Sequence, residues 1–272
     1  MSLKDIGPVV LIGAGKMGLA LARGWIAAGL PPASLVLCDP NPSEAARLFA
    51  FEHRIALQST PDGVFVHVLV LAVKPQAMFE VLAAIKGSVG RHSLIISIAA
   101  GIALGKLAEA LGSDRIVRAM PNTPAQIGRG ITGAVALSVS DADRQIADDL
   151  LKAAGDVMWF GTEAQIDAVT AVSGSGPAYV FHLVEALAAA AERQGFTAPE
   201  AMRLARATVT GAAALMDADP LPASTLRENV TSPKGTTAAA LAVLMDIDTG
   251  LAPLMDRAVS AARLRSEELG RG

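Results

Sequence analysis

One cysteine, one tyrosine and two tryptophans are all that 272 residues contain of those three types. The single thiol, Cys38, has no partner within the chain, which excludes a disulfide framework. Together with four scattered histidines (His53, His67, His92, His182) it offers no metal-ligand spacing. Charge is scarce as well: Asp, Glu, Lys and Arg make up 18% of the chain, and 26 acidic against 23 basic residues leave a net charge of −3. No basic block is dense enough to track a phosphate backbone, so nucleic acid is excluded as a partner. Long hydrophobic runs are missing too. Every weakly charged stretch meets Gly, Ser, Pro or His before roughly eighteen apolar residues accumulate, and no membrane span is expected. The opening "MSLKDIGPVVLIGAG" leads into a glycine pattern instead of a small-residue cleavage site, so no targeting signal is read. These absences together point to a reduced, cytoplasmic, metal-free protein.

No Ser-His-Asp grouping, Cys-His pair or carboxylate pair at glycosidase spacing stands out. His182 and Glu185, three apart, read as a solvated or packed helix face. What the chain does have is 52% hydrophobic residues, the opposite of a disordered composition. At roughly 150 residues per domain its length suggests one full domain and a smaller second one.

The first half alternates apolar, β-branched runs with helical periodicity. "PVVLIG" (8–13), "SLVLCD" (34–39), "VHVLVLAV" (66–73), "SLIISI" (93–98) and "RIVRAM" (115–120) are separated by helix-like segments at 16–30, 75–86 and 102–111. Runs that are apolar at every position suit strands of a parallel sheet covered on both faces. "ITGAVALS" (131–138), a helical 141–155 and "DVMWF" (156–160) would extend that sheet at one edge. From about 163 strand-like runs stop and Ala-rich helical patterns take over, at 163–172, 177–194, 198–218, 236–246 and 250–269. The predicted fold class is thus α/β, a Rossmann-type, mostly parallel sheet domain (1–161), followed by an all-α domain (162–272). Leu251, Leu254, Met255, Ala258, Val259 and Ala262 form a stripe on one face of the last helix that something must cover.

"GAGKMG" (13–18) follows the first strand and opens a helix, the context that a dinucleotide fingerprint requires. Gly13 would make the tight turn, Gly15 would let the backbone approach a pyrophosphate, and Gly18 would let helix and strand pack closely. Lys16 and Met17, between them, join the cofactor candidates, and the helix start supplies N–H groups for phosphates. Asp39, at the end of the second strand, is placed to accept hydrogen bonds from ribose hydroxyls and to repel a 2′-phosphate, and no Lys or Arg lies between 35 and 46. Ligands of doubly wound sheets lie over the carboxyl ends of the strands. The cofactor candidates there are Ala72, Val73 and Lys74 of "AVKPQ", Ala99 and Gly101 of "AAG", and Met120, Pro121 and Asn122 of "MPNTP". The last segment has free polar groups suited to hold an amide. In the helical half, "AVSGSGPAY" (171–179) and "NVTSPKGTT" (229–237) place small residues before helix starts, with Pro177 in a first turn and Thr236 or Thr237 at an N-cap. Such turns present N–H groups to an anion, and Gly235 would allow an unusual backbone angle.

In this order and at these separations, "VVLIGAGKMG", "LAVKPQ", "SIAAGI", "RAMPNTP", "DAVTAVSGSGPAY" and "NVTSPKGTT" closely resemble the pyrroline-5-carboxylate reductase family, over about 8 to 269. The resemblance implies NADH- or NADPH-dependent reduction of a cyclic imine to L-proline, and a helical domain that interlocks with a partner subunit in a homodimer or larger homo-oligomer. It further implies that Thr237 hydrogen-bonds the ring nitrogen as the catalytic contact. Ser232, Gly235 and Thr236 would hold the substrate carboxylate, with Ser175 and Gly176 beside the substrate. Two departures stand out. The family usually reads "SPGGTT" where this chain has Lys234, and many members carry a small hydroxyl residue or another compatible with a 2′-phosphate in place of Asp39. Two other classes fit the outline: a 3-hydroxyacid dehydrogenase-like oxidoreductase, or a dinucleotide-binding sensor without turnover. The first would need a Lys on the long helix after the "GSG" turn, and none occurs between Lys152 and Lys234.

Overall fold

The computed structural model describes residues 2–271. Its centre is an eight-stranded sheet in the order β3-β2-β1-β4-β5-β6-β7-β8. The strands are β1 (Val9–Ile12), β2 (Leu35–Cys38), β3 (Ala56–Gln58), β4 (Val68–Leu71), β5 (Leu94–Ser97), β6 (Ile116–Met120), β7 (Gly130–Ala136) and β8 (Gly155–Trp159). Val9 pairs in parallel with both Leu35 and Val68, and Val68 with Leu94, so β1 and β4 are interior strands. Pairing stays parallel from β3 to β6. β7 turns antiparallel against β6 and β8 runs parallel to β7, extending the sheet at one edge.

Side chains of a strand alternate between faces, and β1 and β4 show why their sequences are apolar throughout. Val9, Leu11, Val68 and Val70 enter one core layer, with Leu21 and Trp25 of α1 (Lys16–Ala27), Phe49 of α2 (Glu44–His53) and Leu150 of α5 (Asp141–Lys152). Val10, Ile12, Leu69 and Leu71 enter the other, with Met78 and Leu82 of α3 (Met78–Ile85) and Leu104 and Leu107 of α4 (Leu104–Leu111). The indole N–H of Trp25 donates to the Leu150 carbonyl at 2.8 Å, satisfying a buried donor and tying α1 to α5.

Sequence periodicity did not single out α2 or β3. The strand has three residues on the sheet's outer edge, too short for an alternation to show. The helix expected over 75–86 is a 3₁₀ turn, Pro75–Ala77, followed by α3.

The chain forms two compact units, one of the residues up to Ser175 together with those from Ala262 onward, the other Gly176–Ala261. This differs from a division at 161/162, drawn where strand-like runs stop. The reason is that α6 (Ala164–Val169) and the π-helical turn Thr170–Gly174 stay with the sheet: Ile166 is buried in the second core layer and α6 packs on β6 and β7. The second unit contains α7 (Gly176–Arg193), α8 (Ala198–Ala218), α9 (Ala223–Asn229), which lacked a periodic signal, α10 (Thr236–Leu244), and the first half of α11 (Leu251–Arg271). Helices α7 and α8 pack through Ala188, Ala201 and Ala205. Small residues allow this close approach but bury little apolar area. Among the described residues, no helix is long and apolar enough to cross a membrane.

A buried carboxylate pins α5 to the sheet unit. Asp143 closes a capping box with Ser140 and accepts from Arg115 Nε at 3.2 Å. Burial by itself would raise its pKa, but the hydrogen bonds from Arg115 and Ser140 outweigh it and hold the group below 3.8. A carboxylate with a depressed folded-state pKa contributes stability that is fully present above the unfolded value and is lost as pH falls through the folded one. Asp143→Asn should therefore lower stability by about 1–2 kcal/mol at pH 7. Urea titrations should show this difference shrinking below pH 3.8 and not between pH 6 and 8.

Candidate active site

The fingerprint turn is built by three glycines with different duties. Gly13 has φ +93°, and a Cβ there would lie 2.8 Å from the Ala72 carbonyl oxygen. A Cβ on Gly18 would lie 2.2 Å from the Gly13 carbonyl oxygen, so α1 can approach the turn only with hydrogen at that position. Around Gly15, the N-cap of α1, a Cβ would meet nothing within 4 Å. The space above it is open, and Lys16 and Met17 form the first turn beside it. First-turn N–H groups have no intrahelical acceptor, and the helix end carries partial positive charge.

Parallel pairing brings the carboxyl ends of β1, β2 and β4 side by side. A groove of about 670 Å³ opens there, lined by Gly13, Gly15, Asp39, Ala72, Val73 and Lys74 among others. Asn41, Ser59, Thr60 and Glu80 also line it. Sequence reading missed these four, because nothing local marks a solvated loop or an exposed helix turn as a groove wall. Lys74 is the single Lys or Arg in that lining. Asp39 accepts from the Ala14 N–H through Oδ2 and from the Asn41 N–H through Oδ1, both at 2.9 Å. It is therefore a turn-forming carboxylate and a groove wall at once. Beneath it, burial pushes the Cys38 thiol up to about 11, against a smaller lowering by the Gln58 side chain, so the thiol form predominates at neutral pH.

Ala99, Gly101, Met120, Pro121 and Asn122 leave the same sheet edge at the ends of β5 and β6, outside the lining of that groove. Gly101 has φ +72°. Asn122 is buried, and its side-chain oxygen accepts the Ile131 N–H at 2.9 Å. This bond ties the Asn122 side chain to the β6–β7 connection. Met120 lies against the π-helical turn: a Cβ on Gly174 would meet its Cε at 2.8 Å. That turn ends with the Ser175 N–H donating to the Thr170 carbonyl at 2.8 Å, immediately before Gly176 opens α7. The side chains of His182 and Glu185 pair at 3.1 Å on an exposed helix face.

In the helical unit, the Ser232 carbonyl accepts the Gly235 N–H at 3.0 Å, closing a turn that leads into α10. Lys234, not Gly235, holds the left-handed conformation, with φ +59°; Gly235 is extended at φ −81°, ψ 175°. This corrects the expectation for Gly235 and explains why the related motif carries glycine at the preceding position, where a Cβ is disfavoured. Gly235 is also the N-cap, so Thr236 and Thr237 are the first two helical residues and not caps. Their N–H groups belong to the first turn of α10, where they have no intrahelical acceptor.

A glycine fingerprint on a parallel sheet, joined to an all-helical unit, defines an NAD(P)H-dependent oxidoreductase of the Rossmann class. Residues 163–269 match the family model for pyrroline-5-carboxylate reductase dimerisation, and 8–101 match that for NADP oxidoreductase, coenzyme F420-dependent. A pyrroline-5-carboxylate reductase of Pseudomonas aeruginosa is 42% identical over 96% of both chains. Solved structures of similar architecture include a pyrroline-5-carboxylate reductase from Coxiella burnetii (TM-score 0.89, 35% identity, 97% of this chain and 99% of that one). Another is the Plasmodium falciparum pyrroline carboxylate reductase with NADP bound (TM-score 0.82, 29% identity, 98% and 99%). The chain belongs to the pyrroline-5-carboxylate reductase family.

The left-handed Lys234 yields a direct test. Lys234→Gly should remove the Cβ strain at φ +59° and stabilise the protein by about 0.5–1 kcal/mol, after the larger unfolded-state entropy of glycine is subtracted. The thermal midpoint, compared with that of Lys234→Ala, measures it; Lys234→Ala keeps the Cβ and should not gain.

Proposed function

We propose that this chain reduces 1-pyrroline-5-carboxylate to L-proline in the cytoplasm, the last step of proline biosynthesis. In this reading residues 1–161 are the dinucleotide-binding part, and the helices of 162–272 are the substrate-binding and dimerisation part. The observation that carries the reading is the open space above Gly15 at the mouth of a groove of about 670 Å³, between a helix start and Asp39. That is a cradle for a dinucleotide, since a pyrophosphate needs backbone approach and N–H donors. A bound NADH or NADPH supplies the hydride.

The chain's own residues then bind and orient. Met120 and Pro121, with Ala99 and Gly101, would border the nicotinamide end, and Gly13, Lys16, Met17, Gly18 and Ala72–Lys74 would border the phosphates. Ser232, Gly235 and Thr236 would hold the substrate carboxylate through fixed donors, the Thr237 hydroxyl would meet the ring nitrogen, and Ser175 and Gly176 are further substrate-binding candidates. A protonated imine is already electrophilic at carbon, so orientation outweighs acid catalysis. Assembly as a homodimer or larger homo-oligomer follows from the helical unit. Phe181, Leu204, Leu215, Val243, Leu244 and Ile247 are all exposed there, a surface a soluble protein covers with another copy.

Asp39 favours NADH in this reading. Its carboxylate stands at the groove wall, and Lys74 is the sole cation lining that groove. Asp39→Ser should shift the ratio of kcat/KM toward NADPH, because it removes a charge facing the 2′-phosphate; a wild-type enzyme strongly preferring NADPH would contradict the assignment. For the substrate end, Thr237→Val should lower kcat/KM for the imine by about 10- to 100-fold, with NADH binding nearly unchanged. Equal activity of Thr237→Val and wild type, followed by reduced-nicotinamide absorbance, would move the site to the 173–177 turn.

A further inference from the structure

The active-site reading leaves one buried polar cluster without a role. Arg118 on β6 is 4% exposed and pairs through Nη1 with Glu163 Oε1 at 2.8 Å and through Nη2 with Asp167 Oδ1 at 3.4 Å. Glu163 also accepts the Leu104 N–H at 2.7 Å, at the start of α4 and directly after the 99–103 loop. Asp167 accepts the hydroxyl of Ser266 of α11 at 2.9 Å, and Ser266 is itself buried. One turn further on, Leu269 Cβ stands 3.2 Å from where a Cβ on Gly101 would be, and Lys106 Nζ donates to the Gly270 carbonyl at 3.2 Å. Two carboxylates face one guanidinium here, and the α4 start adds the second positive pole. The C-terminal part of α11 is thereby held against the loop after β5 by a polar anchor and an apolar contact, more than 160 residues distant in sequence.

We infer that Ser266 and Leu269 are positioning residues for hydride transfer: they fix the 99–103 loop, Ser266 through Asp167, Arg118 and Glu163, and Leu269 through Gly101. The inference rests on the reading above that Ala99 and Gly101 border the nicotinamide. A misplacement of an ångström at that loop is enough to slow the reaction, because transfer depends on donor and acceptor carbons meeting closely.

The test uses the full chain with Ser266→Ala, Ser266→Thr and Leu269→Ala, assayed with NADH and with NADH deuterated at C4. Ser266→Ala and Leu269→Ala should lower kcat/KM roughly tenfold and raise the deuterium isotope effect on kcat, as the transfer step becomes limiting. Ser266→Thr, which keeps the hydroxyl, should restore both. The inference is overturned if activity falls only in proportion to folded protein, with KM and isotope effect unchanged in Ser266→Ala and Leu269→Ala. A parallel Gly15→Val variant separates the two readings. If it leaves NADH affinity intact, the cofactor assignment fails and this inference with it. If it weakens NADH binding at least about tenfold while Ser266→Ala and Leu269→Ala behave as wild type, the positioning role alone is wrong.

Discussion

Parallel pairing of the six strands from β3 to β6 is the constraint on which the rest depends. A parallel ladder needs a crossover between successive strands, and crossovers pack helices on both faces. That requirement forces β1 and β4 to be apolar at every position, and it delivers the carboxyl ends of the strands to one edge. It also demands that α1 lie almost on the turn that precedes it. The Gly18-to-Gly13 approach is possible only without a side chain, and it aims the free N–H groups of the helix start over that edge.

A protein with so little charge still spends some of it inside. Arg118 is a buried guanidinium paired with the partly exposed carboxylates of Glu163 and Asp167, and its desolvation penalty can cancel their attraction, so the cluster's effect lies less in net stability than in geometry. Four segments distant in sequence must meet to satisfy those groups: the middle of β6, the start of α4, the start of α6 and the end of α11. Asp143 with Arg115 does comparable work at the other end of β6, pinning α5 next to the antiparallel edge.

The helical unit shows the opposite economy. Its α7–α8 contact is lined by alanines that allow close packing and bury little area, while its larger apolar side chains face outward. Such a unit gains stability from a second copy, since a small isolated helical layer hides too little apolar surface to offset chain entropy. The match of 163–269 to a dimerisation model agrees with that physical reading.

The sheet, its glycine turn and the switch to helices near 163 were legible because period, apolarity and glycine spacing are local properties. The motif order was likewise sufficient to indicate the family. The edge strand β3 and helix α9 were not legible, being too short for a pattern. Backbone conformation at the 232–237 turn also escaped: nothing in "SPKGTT" marks Lys234 as the left-handed residue, because that choice belongs to the hydrogen bond between Ser232 and Gly235. That the Asn122 oxygen accepts the Ile131 N–H was likewise not legible, since the pairing depends on how β7 returns along β6. Nothing local marks Arg118 or Ser266, and only folding puts the Asp167 carboxylate between them. Local sequence determined which elements form and which face each buries; tertiary structure alone decided which polar atoms meet, because their partners lie tens to hundreds of residues away along the chain.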